Sequence, residues 1–591
     1  MPVAGNQKSW QTVSTVMNDS TRPRPETARG SAIAPFKHQI FLALWLASLF
    51  SNFGGLIQSV GASWLMTSLS PTADIVALVQ ASTVLPYMLF CLIAGAAADV
   101  FDRRVLMVAA QILVFMVSIV LTVMTFLGIM TPLLLLIFTF LVGCGNAIYG
   151  PAWQSSVGEL VPRSELPAAV ALNSLGFNIA RTVGPAIGGF IVAAFGSQAA
   201  FLINSLSYIG LIGVLISWKR PVEERPFPPE SIPGAMIAGL RYVQLSPSIR
   251  TILIRSVVFG MAASSVWALM PLIARDQIKG GPSIYGLLLG AFGVGAVLSA
   301  LFSTRLRARF TTEHIVNIAA LAFAASSLIA AFSANLLLTM IGMVMGGGGW
   351  VLALSTFNIS VQLSVPRWVV GRSVAIYQTL AFGGMALGSW LWGLAAHYYG
   401  LPFSLALAGI VLAASVALSR ILPMPTGVGE NLDPQLPEFV PTLDKAIPYR
   451  DGYVVLTIEY RVALADAPHF ARAMRTLSHV RQRNGARRWS LMVDVTDPEL
   501  WVERFQYPTW IDYLRQRHRG TIADRAIWEH ARTFHRGDAP PKVRRLMAQP
   551  IEDIAGRLGA DLEQARTISI TDPALPPEPR APSPAQSPKR E

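Results

Sequence analysis

The sequence predicts an all-α membrane protein of twelve transmembrane helices arranged as two six-helix halves, followed by a small soluble α+β domain. Three observations predict it. Apolar segments of about 20 residues, enough to cross roughly 30 Å of hydrocarbon, begin near Gln39, Ala73, Arg104, Thr131, Pro167 and Gln198, and again near Arg250, Ser283, His314, Asn335, Gly371 and Pro402. Short signatures recur at a fixed offset of 204 residues: Val161, Pro162 and Arg163 return as Val365, Pro366 and Arg367, and Gly184, Gly189 and Gly196 return as Gly388, Gly393 and Gly400. After the twelfth span the pattern changes from continuous apolar runs to the two-residue alternation of strands.

Composition agrees with a bilayer setting. Of 591 residues, 52% are hydrophobic and 14% charged, and the charges crowd between and after the apolar runs. The first 38 residues carry Lys8, Arg22, Arg24, Arg29 and Lys37 among Ser, Thr, Asn and Pro, with no apolar core or cleavage site, and read as a disordered cytoplasmic tail without a signal peptide. Six spans fill 39–218. A proline-rich cytoplasmic connector, 219–249, contains a short amphipathic stretch around Ala235 to Val243. The second six spans fill 250–422. The loops on the N-terminal side of the bundle hold thirteen Lys and Arg, against Arg275 and Lys279 on the other side. That asymmetry places both termini in the cytoplasm. The net charge of +13 is then largely topological, suited to anionic lipid and not to nucleic acid. Cys91 and Cys144 fall inside spans and are expected as free thiols.

Residues 423–448 are rich in proline and turn formers, a linker composition. Within 449–550, Val454, Leu456, Ile458, Tyr460 and Val462 alternate with polar neighbours, as a half-buried strand does. Phe470, Met474, Leu477 and Val480 then share one helical face, ending at Asn484 and Gly485. Trp489 to Val495 and Trp501 to Tyr507 form two further strands, helices open near Thr509 and Thr521, the latter with a Thr521/Asp524 capping box, and a last strand lies near Lys542 to Met547. The order β-α-β-β-α with a closing strand predicts a ferredoxin-like α+β sandwich. Residues 551–591 read as largely disordered.

The mechanism-bearing motifs lie in the spans. Gly95, Asp99, Asp102, Arg103 and Arg104 stand at the junction of the second and third spans. Gly184, Pro185, Gly188 and Gly189 stand in the fifth, where small residues let helices approach and a proline supplies a pivot. Arg181 is a full charge in mid-span, at a cost of about 2.5 to 3.5 kcal/mol on insertion scales, so it should face a cavity or a polar partner. A substrate or gating role and a structural hydrogen bond both fit it. Candidate neighbours are Asn52 and Gln58 in the first span, Asn146 and Gln154 in the fourth, Asn178 beside Arg181 in the fifth, Asn358 and Gln362 in the tenth and Gln378 in the eleventh. Any one of these amides can instead be interhelical glue. Trp267, Met270, Trp350, Trp390 and Trp392 are candidate apolar liners. No Asp or Glu lies deep in a span, so the sequence names no proton carrier. No Walker sequence occurs, Gly290, Gly293 and Gly295 lack the strand a dinucleotide loop needs, and the eight histidines are scattered, so no nucleotide, cofactor or metal is expected.

The pattern from Gly95 to Arg104 resembles the cytoplasmic signature of the major facilitator superfamily, with Asp102 in place of its usual glycine. Gly184 to Gly189 resembles the family's antiporter motif, with Ala180 replacing its first small glycine. Together with Asn173 to Gly189 and Tyr285 to Gly295, the chain from Phe36 to about Leu422 resembles the enterobactin-exporter and macrolide-efflux branch, the transmembrane secretion effectors. The resemblance implies a bacterial inner-membrane exporter of a siderophore, drug or secondary metabolite, working by alternating access with proton coupling. It implies close packing at Gly95 and an ion-pair latch of Asp99 with Arg103 and Arg104. In the second half Arg305, Arg307 and Arg309 remain but Ser303 stands where Asp99 would fall, a degenerate latch. The segment Tyr453 to Arg545 resembles small monooxygenase-like ferredoxin folds. The chain is read as no enzyme; the alternative is a fused enzyme using His469, His479, Trp489 or Tyr507, or a sensing domain that dimerises through its sheet.

Overall fold

The computed structural model describes residues 33–70, 72–162, 165–218, 232–425, 432, 452–517 and 519–548. The expected disordered tails 1–38 and 551–591, and the linker 423–448, lie almost wholly outside them. The chain divides into two compact units, one holding the spans and the other Pro366–Trp368 with the residues from Glu430 onward.

Among the described residues twelve helices are long and apolar enough to cross a bilayer. The first half comprises α1 (Gln39–Leu69), α2 (Ala73–Val100), α3 (Arg103–Phe126), α4 (Pro132–Leu160), α5 (Leu166–Phe195) and α6 (Ser197–Ser217). The amphipathic connector is α7 (Ile232–Gln244). The second half comprises α8 (Pro247–Leu272), α9 (Pro282–Arg309), α10 (Thr312–Phe332), α11 (Leu336–Leu363), α12 (Val370–Tyr399) and α13 (Leu401–Ala414), the last continued through a 3₁₀ turn by α14 (Leu418–Ile421).

Local chemistry fixes the ends. The Asp102 side chain accepts from the Arg104 amide at 2.9 Å and caps α3; Thr131 caps α4, with Pro132 at its first position. The duplicated glycines have a clear cause. Gly196 ends α5 at φ +79° and Gly400 ends α12 at φ +89°, the left-handed conformation in which a side chain is strained. Leu133, Phe190, Leu301 and Leu337 are each more than 60% exposed around the bundle, a surface made for hydrocarbon.

The halves meet along α2 with α12 and α5 with α9. Gly189 of α5 and Gly286 of α9 face each other so closely that a Cβ on either would lie 2.8 Å from the other's Cα. Gly393 of α12 crosses α2 at Ala77 and Asp74. Inside the second half, the backbone at Gly347 and Gly295 touches α9 and α11 with no room for a Cβ. Phe259, Phe292, Phe323, Trp267 and Trp350 interlock beside that crossing, with Trp267 and Phe292 centroids 4.7 Å apart.

The C-terminal unit holds β1 (Val454–Arg461), α15 (Ala467–Arg483), β2 (Arg487–Val493), β3 (Leu500–Tyr507), α16 (Trp510–Arg517), α17 (Ile522–Arg532) and β4 (Lys542–Met547). Its antiparallel sheet has the order β2-β3-β1-β4, the ferredoxin-like arrangement with one additional helix. The capping box at Thr521 and Asp524 forms. β2 pairs irregularly between Arg487 and Ser490, where Arg488 takes φ +48°. Phe470, Met474 and Leu477 of α15 pack on Leu456, Ile458 and Tyr460. Glu503, fully buried on this apolar face, accepts from Tyr460 at 3.2 Å, Trp489 at 3.0 Å and Arg481 at 3.3 Å. Burial, reinforced by Glu503, pushes the Tyr460 phenol above its ordinary range, so it remains a donor.

Candidate substrate site

A cavity of about 920 Å³ lies within the first half. Helical spacing builds its walls. On α1, Asn52, Leu56 and Ser59 share one face; on α4, Thr139, Asn146 and Gln154; on α5, Asn173, Phe177 and Asn178. Trp45, Tyr87, Tyr149 and Trp153 add aromatic surface. The lining reaches Trp45, Val157 and Val170, near the ends of α1, α4 and α5 that lie beside the arginine-rich loops.

The sequence candidates separate by role. Among the described residues Asn52, Asn146 and Gln154 have no hydrogen-bond partner, so their amides are available to a solute. The Asn178 side chain donates to the Ser174 carbonyl at 2.8 Å, and among the described residues its Oδ1 has no partner. Gln58 lines the cavity, but its carbonyl oxygen is taken by Ser118 of α3 at 3.2 Å and by Asn204 of α6. It ties three helices together. Gln378 lines neither cavity described here and sits against Cys91, whose thiol donates to it at 3.2 Å. Gln362 bonds Asn358 within its own helix at 2.5 Å.

Arg181 lines an adjoining chamber of about 190 Å³ that shares Leu56, Ser59 and Phe177 with the large cavity. Its guanidinium lies 5.6 Å from the Trp267 ring centroid, a cation–π distance. No hydrogen bond or ion pair reaches it among the described residues. Gln80, Tyr285 and Pro185 complete the chamber's polar and kinked rim. Of the expected apolar liners only Trp267 lines either of these two cavities. Met270, Trp350 and Trp392 are buried in the second-half core, Trp392 donating to the Met261 carbonyl at 2.8 Å, and Trp390 is 45% exposed. Helices apolar on every side give no sequence signal that separates core from lining.

The glycines around Pro185 face two ways. Gly184 and Gly188 pack on α1, at Leu56 and Ile57, whereas Gly189 packs on α9 in the other half. α5 is thereby held between the halves beside the cavity it lines.

At the α2–α3 junction the side chain of Asp99 lies outside those described. Arg103 donates to Glu159 at the end of α4, 2.8 Å away. Arg104 donates to the carbonyls of Leu215, at 3.0 Å, and Ile216 at the end of α6, the end of a helix dipole that favours a cation. Close packing does not account for Gly95: a Cβ there meets nothing within 4 Å. In the second half Arg307, the counterpart of Arg103, donates to Ser355 at 2.8 Å, so a neutral partner replaces the acid. The Arg103–Glu159 pair is partly exposed and worth about 1 kcal/mol. Glu159→Gln is expected to alter the initial transport rate several-fold without lowering the amount of folded protein, and the exchange Arg103→Glu with Glu159→Arg should restore part of the rate.

At the opposite end of the bundle, Asp74 of α2 lies 3.8 Å from His397 of α12, and Arg275 donates to the Thr67 carbonyl at 2.8 Å, joining α1 to the turn after α8. Neither contact is visible in a motif, because each joins residues from different halves. In the C-terminal unit His469 and His479 are exposed on α15, Trp489 is engaged with Glu503, and Tyr507 is buried.

Residues 30–552 match the family described as transmembrane secretion effector. The staphyloferrin A transporter of Staphylococcus aureus is 24% identical over 368 residues, covering 62% of this chain and 91% of the relative. The multidrug efflux pump Tap of Mycolicibacterium fortuitum is 24% identical over 370 residues, covering 61% and 90%. Among solved structures, a bacterial homolog of the human lysosomal transporter Spinster, in an inward-facing unoccupied conformation, aligns with TM-score 0.54 and 13% identity over 66% of this chain and 97% of its own. A POT family transporter in complex with 5-aminolevulinic acid aligns with TM-score 0.54 and 12% identity over 64% and 95%. At that identity the structural likeness concerns the fold.

Proposed function

Because the chain belongs to the transmembrane secretion effector family of major facilitator transporters, we propose that it exports a small amphipathic molecule, a siderophore or a drug-like metabolite, from the cytoplasm by alternating access coupled to protons. The observation that carries this reading is the first-half cavity, where the unengaged amides of Asn52, Asn146 and Gln154 stand among aromatic rings, with Arg181 in the adjoining chamber. Such a surface suits a solute with an apolar body, several hydrogen-bonding groups and an anionic or carbonyl-rich part. The arginine-rich loops support a cytoplasmic position for the end near Trp45 and Val157, and in this reading the cavity is loaded from inside. The glycine crossings of α5 with α9 and α2 with α12 then hold the outer end shut. Export follows when the halves rock, opening these crossings while the Arg103–Glu159 end closes.

Neither cavity has a carboxylate in its lining. We assign the coupling proton to the bundle ends, where Asp74 and His397 lie 3.8 Å apart on the side opposite the arginine-rich loops. The test is accumulation of a panel of siderophores and antibiotics in cells, with and without a protonophore. Cells making the wild type should accumulate less of one compound, and both the protonophore and Asp74→Asn should abolish the difference. An unchanged gradient dependence in Asp74→Asn rejects that assignment; no compound excluded at all rejects the exporter.

A further inference from the structure

The C-terminal unit contains a cleft of about 340 Å³ separate from the transport cavities. Strand register explains why it is open. β4 pairs with β1 so that Val543 lies opposite Ile458 and Arg545 opposite Leu456. Leu456 and Ile458 belong to the core beneath the helices, and residues directly opposite share a sheet face. Val543 and Arg545 thus face the helix layer, yet both are exposed. The layer stops short of β4, leaving a gap floored by Leu456, Ile458 and Phe505 and walled by Trp528.

Donors converge at one side of this gap. The buried Tyr513 hydroxyl accepts from Arg545 Nε at 2.8 Å and from Arg517 Nη1 at 3.5 Å. Neither arginine has a carboxylate partner among the described residues. Arg517 Nε is buried without an acceptor, and the Tyr513 proton has none either. The nearby acids are already engaged: Glu503 by Arg481, Tyr460 and Trp489, and Asp524 by Arg483 and Asn484. Two like charges directed at one phenol oxygen repel, and an incoming oxyanion would relieve that repulsion while accepting from all three groups.

We propose that this cleft binds a small amphipathic carboxylate, its carboxylate held by Arg517, Arg545 and Tyr513 and its apolar body lying on Leu456, Ile458 and Trp528. Inorganic phosphate would satisfy the donors but leave the apolar floor uncovered. The domain is in this account a ligand-responsive module attached to a transporter, with chemistry of recognition and not of turnover.

Calorimetric titration of the full-length protein in lipid nanodiscs with 2-naphthoate tests the proposal. The wild type should bind, and Arg545→Gln, on an exposed edge strand where the fold is spared, should weaken binding at least about tenfold. Arg517→Gln should do the same, whereas Arg472→Gln, on the exposed face of α15 outside the cleft, should not. Hydrogen exchange over β1 and α15 checks that the domain stays folded in each variant. No binding by the wild type, equal affinity in Arg545→Gln (as binding in the transport cavity would give), loss of binding in Arg472→Gln, or displacement of 2-naphthoate by equimolar inorganic phosphate would each overturn it.

Discussion

Arg181→Met is expected to reduce export at least tenfold while leaving the protein folded, and at unchanged or higher thermal stability. The two readouts together identify the role. An arginine kept in mid-span for structure would be held by acceptors, and removing it would leave those acceptors buried and unpaired, at about 1 to 3 kcal/mol each. Among the described residues Arg181 has no such acceptors: its guanidinium faces a chamber and the Trp267 ring at 5.6 Å. Methionine fills a similar volume and removes the cost of desolvating a charge, so the fold loses nothing. What is lost is the cation presented to the cargo. Arg181→Lys keeps the charge but not the planar group stacked on Trp267, and should retain part of the rate. Thermal unfolding of the purified variants and export in cells check both arms; a destabilised Arg181→Met would return the residue to a structural role.

The second large effect is a graded one along glycines. Gly189→Ala places a Cβ 2.7 Å from the Pro282 carbonyl oxygen and 2.8 Å from the Gly286 Cα, both backbone atoms that no rotamer change can move. The strain, about 1 to 3 kcal/mol, falls on the α5–α9 crossing that joins the halves, so export should fall severely along with melting temperature. Gly184→Ala meets the Leu56 side chain at 3.2 Å, which can give; a mild loss is expected. Gly95→Ala meets nothing within 4 Å and should be nearly silent. Alanine favours a helix over glycine, so an equal loss at all three positions would show that something other than this crossing sets the effect.

Much of this architecture is legible in the sequence. Span starts follow from apolar length, the 204-residue repeat marks the equivalent helix stops at Gly196 and Gly400, and β4 and the Thr521 capping box follow from alternation and spacing. Two parts of the site are not legible, for physical reasons. Pairings across helices, such as Arg103 with Glu159 and Asp74 with His397, depend on how helices pack, which local pattern does not encode. Lining also escapes hydropathy, because lipid-facing, core and cavity-facing apolar residues look alike within a bilayer; Trp350 and Met270 are core, while Tyr87 and Trp153 line the cavity. Polar residues are more informative: Asn52, Asn146 and Gln154 reach the cavity, and Gln58 reaches it while also serving as glue. Glu503 inverts the strand rule, an acid on the buried face sustained by three donors.

Uptake of the excluded compound into inside-out membrane vesicles carrying an acid-inside proton gradient tests proton-driven export. Export from the cytoplasm through the first-half cavity requires gradient-dependent uptake by the wild type, collapsing with a protonophore and in Arg181→Met. Uptake indifferent to the gradient and to Arg181, or movement of the compound out of the vesicles, would contradict it.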